Sequence, residues 1–274
     1  MPDGILPCKK DSNMNFPFFH VDAFSSKPFR GNPAGVCLLD QLISLEQMQD
    51  IATENNVAET AFINRDGDRF LLRWFSPVTE MPLCGHATLA AAHVLWQEKV
   101  LPEEQEAVFE TLSGELKVSN KTDGWLELDF PSFDTHPADL PAELKTAFPP
   151  DAKAFFSNDR YLIELQGPDS VHHYKPDFIK LDKHLVVITC LAEEDSPFDF
   201  YSRYFACPVG VPEDAVTGSA HCSLAPYWSE KLHKTNLLAF QASARGGTLR
   251  LRVKPGRVLI GGQAVTVMKG RYKI

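Results

Sequence analysis

The chain has 274 residues, 44% hydrophobic and 11% aromatic, which is ample material for a packed core and excludes general disorder. Its net charge is -9 and its 27 basic residues form no cluster longer than Lys9-Lys10, so a nucleic-acid or anionic-membrane partner would lack the concentrated basic face it needs. Six scattered cysteines without a C-x-x-C pair, no apolar run near the roughly 20 residues of a membrane span, and no signal-like segment point to free thiols in the cytoplasm.

Residues 1–13 are polar and punctuated by Pro and Gly; they read as a flexible extension, with Met14 as an alternative start. A β-rich run from Phe16 to Val21 follows. Gly31-Asn32-Pro33-Ala34-Gly35 matches no phosphate or dinucleotide pattern and reads as a turn lining a cleft. Ser44 and Gln47 make a capping box at the head of an amphipathic helix that ends near Asn55. The loop Asn55-Asn56-Val57-Ala58 then leads through Glu59 into the apolar strand Thr60–Ile63. Further β-rich runs are Phe70–Phe75, Leu116–Val118, Trp125–Phe130, His184–Thr189, Phe200–Phe205 and Thr248–Val253. Asp66-Gly67-Asp68 and Thr122-Asp123-Gly124 are the turn chemistry of antiparallel hairpins. Between these strands lie two helices, His86–Trp96 and Ser219–Leu232, the first apolar on nearly every side and the second similar. Pro226 should kink the second or tighten its first turns.

A helix apolar all round must be wrapped. Two of them among many strands predict an α+β fold of two pseudo-symmetric lobes, each a curled, mostly antiparallel sheet around a central buried helix. A faint repeat agrees. At a shift of 133 positions Gly85 maps to Gly218, Ala87 to Ala220, Ala92 to Ala225, Gly114 to Gly247, Leu116 to Leu249 and Leu126 to Leu259. Upstream, Arg73-Trp74-Phe75 matches Arg203-Tyr204-Phe205 at a shift of 130. The expected division is 14–130 plus 263–274 for the first lobe and 131–262 for the second.

The repeat makes two turns equivalent, Leu83-Cys84-Gly85-His86 and Val216-Thr217-Gly218-Ser219. Each feeds a helix N-terminus, where unpaired N–H groups and the positive dipole end can bind a carboxylate, and glycine allows close approach. Four nearby residues carry possible chemistry, and each has a plainer explanation beside it. Glu59 is either a half-shielded carboxylate with a raised pKa or an exposed strand-end charge. His86 is either a capping residue or an imidazole kept neutral by the helix dipole. Asp214 precedes the second turn, where acids are common for dipole reasons alone. Cys84 is either a reactive thiol or a buried structural one. Cys84-x-His86 with His221-Cys222 is poor spacing for tetrahedral zinc. The absence of G-x-G-x-x-G after a strand, of G-x-x-x-x-G-K and of G-x-S-x-G removes nicotinamide, nucleotide and serine-hydrolase readings.

Five stretches closely resemble the phenazine-biosynthesis PhzF-like isomerase family, which has the diaminopimelate-epimerase fold. They are FFHVDAFSSKPFRGNPAGVCLL, ENNVAETAFI, RWFSPVTEMPLCGHATLAAAHVL, SRYFACPVGVPEDAVTGSAHC and GGQAVTV, in order from Phe16 onward. The resemblance implies an acid/base glutamate at Glu59, a supporting histidine at His86 and a supporting aspartate at Asp214, with Ser219 lining the site. It also implies two lobes with the site between them, no metal or organic cofactor, and a homodimer.

The fold's epimerase branch uses one cysteine from each lobe. Here Cys84 stands where the first would be, but its repeat equivalent is Thr217, a poor acid/base. The expectation is therefore a cofactor-independent isomerase that moves a proton on a small carboxylate with Glu59 alone. Gly85, Gly218 and Ser219 would bind the substrate, with Cys84 and Thr217 beside it. Two rivals stand: a racemase or epimerase on the same site, and a non-catalytic metabolite-binding protein.

Overall fold

The run of small and apolar residues that starts at Gly85 offers water no polar face, and strands enclose it. The computed structural model describes residues 14–67 and 69–274. The expected extension over 1–13 lies outside the described residues, as does Asp68 of the first expected turn. The first half contains β1 (Asn15–Ala23), β2 (Asn32–Leu39), α1 (Leu45–Asn55), β3 (Glu59–Asp66), β4 (Arg69–Phe75), β5 (Glu80–Met81), α2 (Gly85–Gln97), β6 (Ala107–Thr111), β7 (Gly114–Asn120) and β8 (Leu126–Pro131). The second half opens with β9 (His136–Pro137), α3 (Ala142–Lys145), β10 (Lys153–Ser157), β11 (Arg160–Glu164), α4 (Pro168–His172) and α5 (Phe178–Leu181). It continues with β12 (Val186–Leu191), β13 (Phe200–Ala206), β14 (Val211–Asp214), α6 (Gly218–Leu232), β15 (Asn236–Gln241), β16 (Gly247–Lys254), β17 (Arg257–Gly262) and β18 (Ala264–Lys273).

The faint sequence repeat is a complete repeat of topology. In the first half β1–β2 is antiparallel, β2–β3 parallel, β3–β4 antiparallel, β4–β6 parallel, and β6–β7–β8 antiparallel. In the second, β10–β11, β11–β12, β12–β13, β13–β15 and β15–β16–β17 repeat that series sense for sense. The fold is thus the expected α+β pair of lobes. Each sheet is mixed, because a helix or longer connection spans each parallel step. Ten of the thirteen residues of α2 are buried, against β1, β2, β3, β7, β8 and β18. The second central helix, α6, packs on β15, β16 and β17 and touches α2. None of the described helices is long and apolar enough to cross a membrane.

We place the division between lobes at 130/131, with 263–274 returning to the first. Two pairings support this: β18 joins β1, and β9 joins β10, so each lobe's first strand is bordered by the strand that follows the other lobe's last. The lobes are also stitched directly by β8 against β17.

Local chemistry explains the helix ends. Ser44 accepts from the Gln47 N–H and the Gln47 side chain accepts from the Ser44 N–H, the expected capping box. Pro226 lies inside α6 and leaves the Cys222 carbonyl without its intrahelical donor. The Phe133 N–H supplies one at 3.0 Å, drawing the segment after β8 onto the helix. One expectation is corrected. Gly31–Gly35 is not a turn: only Gly31, with φ of 70°, turns the chain, and from Asn32 the segment is β2, hydrogen-bonded between β1 and β3. The apolar residues Val36–Leu39, which continue the segment, are the reason it enters the sheet.

Candidate active site

The two glycine turns meet. Cys84 and Thr217 hold equivalent N-cap positions on α2 and α6, both extended and neither capping with its side chain. A Cβ built on Gly85 would lie only 4.0 Å from the Gly218 Cα. Two sets of first-turn N–H groups and two positive dipole ends therefore converge on one point, which favours an anion there. A cavity of about 260 Å³ opens at this point, lined by residues that include Glu59, Cys84, Gly85, His86, Asp214, Thr217, Gly218 and Ser219. All eight residues singled out from the sequence are thereby brought together.

Glu59 opens β3, whose pairing with β2 sets it opposite Ala34. Its Oε2 stands 3.1 Å from His86 Nε2, the distance of an ion pair. His86 Nδ1 lies 3.5 Å from Cys84 Sγ. It is also 3.2 Å from the Asn32 amide nitrogen. The two N–H bonds of that amide are satisfied by Asp214 Oδ1 at 2.7 Å and the Val216 carbonyl at 2.9 Å, which leaves Nδ1 free to donate toward the sulfur. Asp214 Oδ2 accepts from the Thr217 hydroxyl at 2.5 Å. Gln241 pins this loop, donating to the Asp214 carbonyl and accepting from the Thr217 N–H, each at 2.8 Å.

Two electrostatic expectations are corrected. Burial pushes the Glu59 carboxyl up, but the adjacent His86 charge and polar contact with His86 and Cys84 outweigh it, and the group is held below the ordinary carboxylate value. Burial disfavours charge on His86 as well, yet Cys84 and Glu59 hold its pKa well above the usual imidazole value. The dipole of α2 does not keep this ring neutral; an opposite charge at contact distance outweighs half a charge spread over a helix end. The pair is a carboxylate beside an imidazolium. The raised carboxyl is instead Asp214, by burial first and with Glu59 adding to it, while the His86 charge and bonds from Thr217 and Asn32 offset only part. Cys84 is raised too, through burial and the neighbouring Glu59.

Several residues that line or support the site carry no signal of it in the sequence. The cavity wall is largely apolar, with Leu83, Phe130, Phe133, Leu185, Tyr204 and Val211 among its members. Among the described residues it includes no lysine or arginine. Arg160 lies behind that wall, 5% exposed. It donates to Ser219 Oγ at 3.2 Å and to Asp159 at 2.7 Å, with its guanidinium 5.0 Å from the Tyr204 ring centre. Arg160 and Asn32 are distant from the other site residues in sequence, so spacing could not reveal them; Asn32 between glycine and proline was the nearest thing to a clue.

A protein of Pseudomonas aeruginosa named an uncharacterized isomerase is 46% identical over 265 residues, covering 95% of this chain and all of that one. The crystal structure of a phenazine biosynthesis protein of the PhzF family from Enterococcus faecalis superposes with a TM-score of 0.89 at 38% identity, over 95% of this chain and 100% of that one. A hydroxyproline epimerase from Agrobacterium vitis shares the fold alone, with a TM-score of 0.59 at 9% identity over 95% of this chain and 93% of that one. The family model described as phenazine biosynthesis-like protein matches residues 21–270. With that match across most of its length, the chain belongs to the phenazine biosynthesis-like (PhzC-PhzF) family.

Proposed function

We propose that the protein is an isomerase that moves a proton on a small carboxylate, with Glu59 as the single acid/base group. One observation carries this reading: Glu59, 3.1 Å from His86, borders the cavity at the point where two helix N-termini abut. The substrate carboxylate docks on the N–H groups of Gly85–His86 and Gly218–Ser219. Glu59 removes a proton from a carbon next to an unsaturated or carbonyl system. The negative charge spreads into that system and is stabilised by the helix ends and by His86, donors already in place before charge develops. Glu59, whose carboxyl proton exchanges with solvent while the intermediate is bound, then delivers a proton to another carbon. Asp214, held by Asn32 and Thr217, keeps the opposite wall in position and presents a polar edge to the substrate.

The apolar walls favour a cyclic or otherwise apolar-bodied acid. Thr217 opposite Cys84 favours one base over two, since a threonine hydroxyl is a poor proton carrier at neutral pH. The relative named an isomerase agrees with the reaction class. Turnover without added cofactor, a cytoplasmic address and a homodimer belong to the same proposal. A screen of small cyclic and amino carboxylates in deuterated water, read by mass shift, tests it. Incorporation of deuterium without added cofactor supports the reading. Tight binding with no exchange of any candidate would indicate a metabolite-binding protein.

Arg160 bears on the docking step. A cation at the N-terminus of α6 opposes the helix dipole in the free protein, and an arriving carboxylate relieves that conflict. Arg160→Met is expected to raise KM for a substrate found by the screen about 10-fold, equivalent to roughly 1.4 kcal/mol, with kcat changed far less. Steady-state kinetics check this; a loss confined to kcat would remove Arg160 from substrate docking.

A further inference from the structure

The repeat that duplicates the fold also duplicates a clamp beside the cavity. At the shift of 133 positions Glu80 maps to Glu213, and at the shift of 130 Arg73 maps to Arg203. Each glutamate meets its arginine through two parallel bonds. Arg73 donates to Glu80 Oε1 and Oε2, both at 2.6 Å, and Arg203 donates to Glu213 Oε1 and Oε2 at 2.7 and 2.9 Å. Each guanidinium also lies over the phenylalanine two positions on, 5.9 Å from the Phe75 ring centre and 5.3 Å from that of Phe205. A bidentate arginine fixes a carboxylate in position and angle together, so β5 and β14 are held in the same way in the two lobes.

Successive side chains of a strand point to opposite faces. With Glu80 and Glu213 turned to the clamps, the next residues, Met81 and Asp214, face the other way. They lie opposite Trp74 and Tyr204 in the sheet, and both line the cavity. Met81 and Asp214 are thus equivalent positions, one from each lobe, beside the point where the two helix N-termini abut. The frame is the same and the side chain is not: a thioether stands where the second lobe has a carboxyl. Asp214 accepts one bond at each oxygen, from Asn32 and from Thr217, and each oxygen keeps a second lone pair for a donor on the substrate. Met81 offers only a weak acceptor, and it packs against the apolar core.

We propose that Met81 is a specificity-determining residue. It makes the first-lobe wall reject polar substituents, so the substrate carries its hydrogen-bond donor, an amino or hydroxyl group, on the edge that meets Asp214 and hydrocarbon on the edge that meets Met81. This selection rests on a carboxylate docking between the two glycine turns, as proposed above. A ring acid shows why two positions decide it. With its carboxylate where the equivalent turns abut, the two meta positions of a six-membered ring are exchanged by the same pseudo-two-fold rotation as the lobes. One is offered to Met81 and the other to Asp214. A polar group buried against the thioether loses its bonds to water and gains none, which costs on the order of 10-fold in affinity. The same group at Asp214 keeps a partner.

Benzoate, 3-aminobenzoate and 3,5-diaminobenzoate, whose amines are uncharged at neutral pH, are suitable probes, with dissociation constants measured by NMR titration of the full chain. The unaltered protein should bind 3-aminobenzoate more tightly than benzoate, and about 10-fold more tightly than 3,5-diaminobenzoate. Met81→Asn puts an uncharged acceptor at the first-lobe position and should narrow the gap between the two amines to about 2-fold or less. Met81→Leu, apolar and of similar size, should leave the gap as it is. If Met81→Asn fails to fold by circular dichroism, Met81→Thr takes its place with the same expected result. No saturable binding of any probe, no gap in the unaltered protein, a gap unchanged by the polar variant, or a gap lost equally in Met81→Leu overturns the proposal. Turnover is read separately. Deuterium exchange with an unchanged gap would sink the selection and leave the isomerase, whereas a narrowed gap in a protein that exchanges no candidate would do the reverse.

Discussion

Glu59→Gln is expected to lower turnover by about 100- to 10,000-fold, the range a positioned acid/base group supplies. Substrate binding and folding should change little. The amide keeps the shape of the carboxylate, and the side chain is only 14% exposed, so packing is retained while the proton acceptor is lost. His86 then faces a neutral group, loses the charge that raises it, and drifts back toward its ordinary range. The pH profile of the unaltered enzyme provides a second reading. Glu59 lies below the usual carboxylate value and His86 well above the usual imidazole value, so the pair stays ionised across neutrality. The rate should therefore show no inflection near pH ~6.5, where an unpaired histidine titrates. Linkage follows the same signs. The Glu59 contribution to stability is complete above its unfolded pKa and is lost as pH falls through the lower folded value. The His86 contribution is complete below its unfolded pKa and is lost as pH rises through the higher folded one. Deuterium exchange at the unaltered rate in the glutamine variant would remove Glu59 from its role.

Arg245→Ala should destabilise the fold by about 3 kcal/mol, the lower end of what breaking a buried ion pair costs. Asp22, at the end of β1, is 1% exposed, and Arg245 from the β15–β16 connection meets its Oδ1 at 2.6 Å. The same arginine donates to the Gly31 carbonyl at 2.8 Å, and the Gly31 N–H donates to the Gly246 carbonyl at 2.7 Å. One side chain thus clasps the two lobes immediately before Asn32. Its removal strands a carboxylate whose remaining donor is the Phe29 N–H, at 2.6 Å. The effect belongs at the low end because Arg245 keeps 35% side-chain exposure, so water can partly replace it. Urea unfolding followed by circular dichroism measures the change. Adding Asp22→Asn to the variant should recover much of the loss, since the amide oxygen still accepts from Phe29 without a charge to strand. An unchanged midpoint in Arg245→Ala would mean the clasp contributes nothing.

The parts of this protein readable without coordinates are those whose cause is local or periodic. The capping box at Ser44 and Gln47 works across three positions, so it shows in the sequence and in the structure alike. The fully apolar His86–Trp96 demands enclosure, and a repeat of 133 positions demands that the other helix be enclosed in the same way. At Gly31–Gly35 the local signal is a turn because glycine and proline dominate it, while the strand there is specified by its neighbours on both sides, β1 and β3.

Ionisation at the site was beyond such reading. Position along the chain sets Glu59 against water and His86 against a helix end, whereas each is governed by the other at 3.1 Å. Asn32 and Asp214, 182 positions apart, join in one hydrogen bond, and Arg160 reaches Ser219 from 59 positions away. Chain pattern was enough for the two lobes and the buried helices, while the candidate catalytic residues came with the family resemblance. Which groups touch, and therefore which carry charge, was decided only when the lobes closed on each other, because electrostatic energy depends on separation in space and on excluded water, and neither is a property of position along the chain.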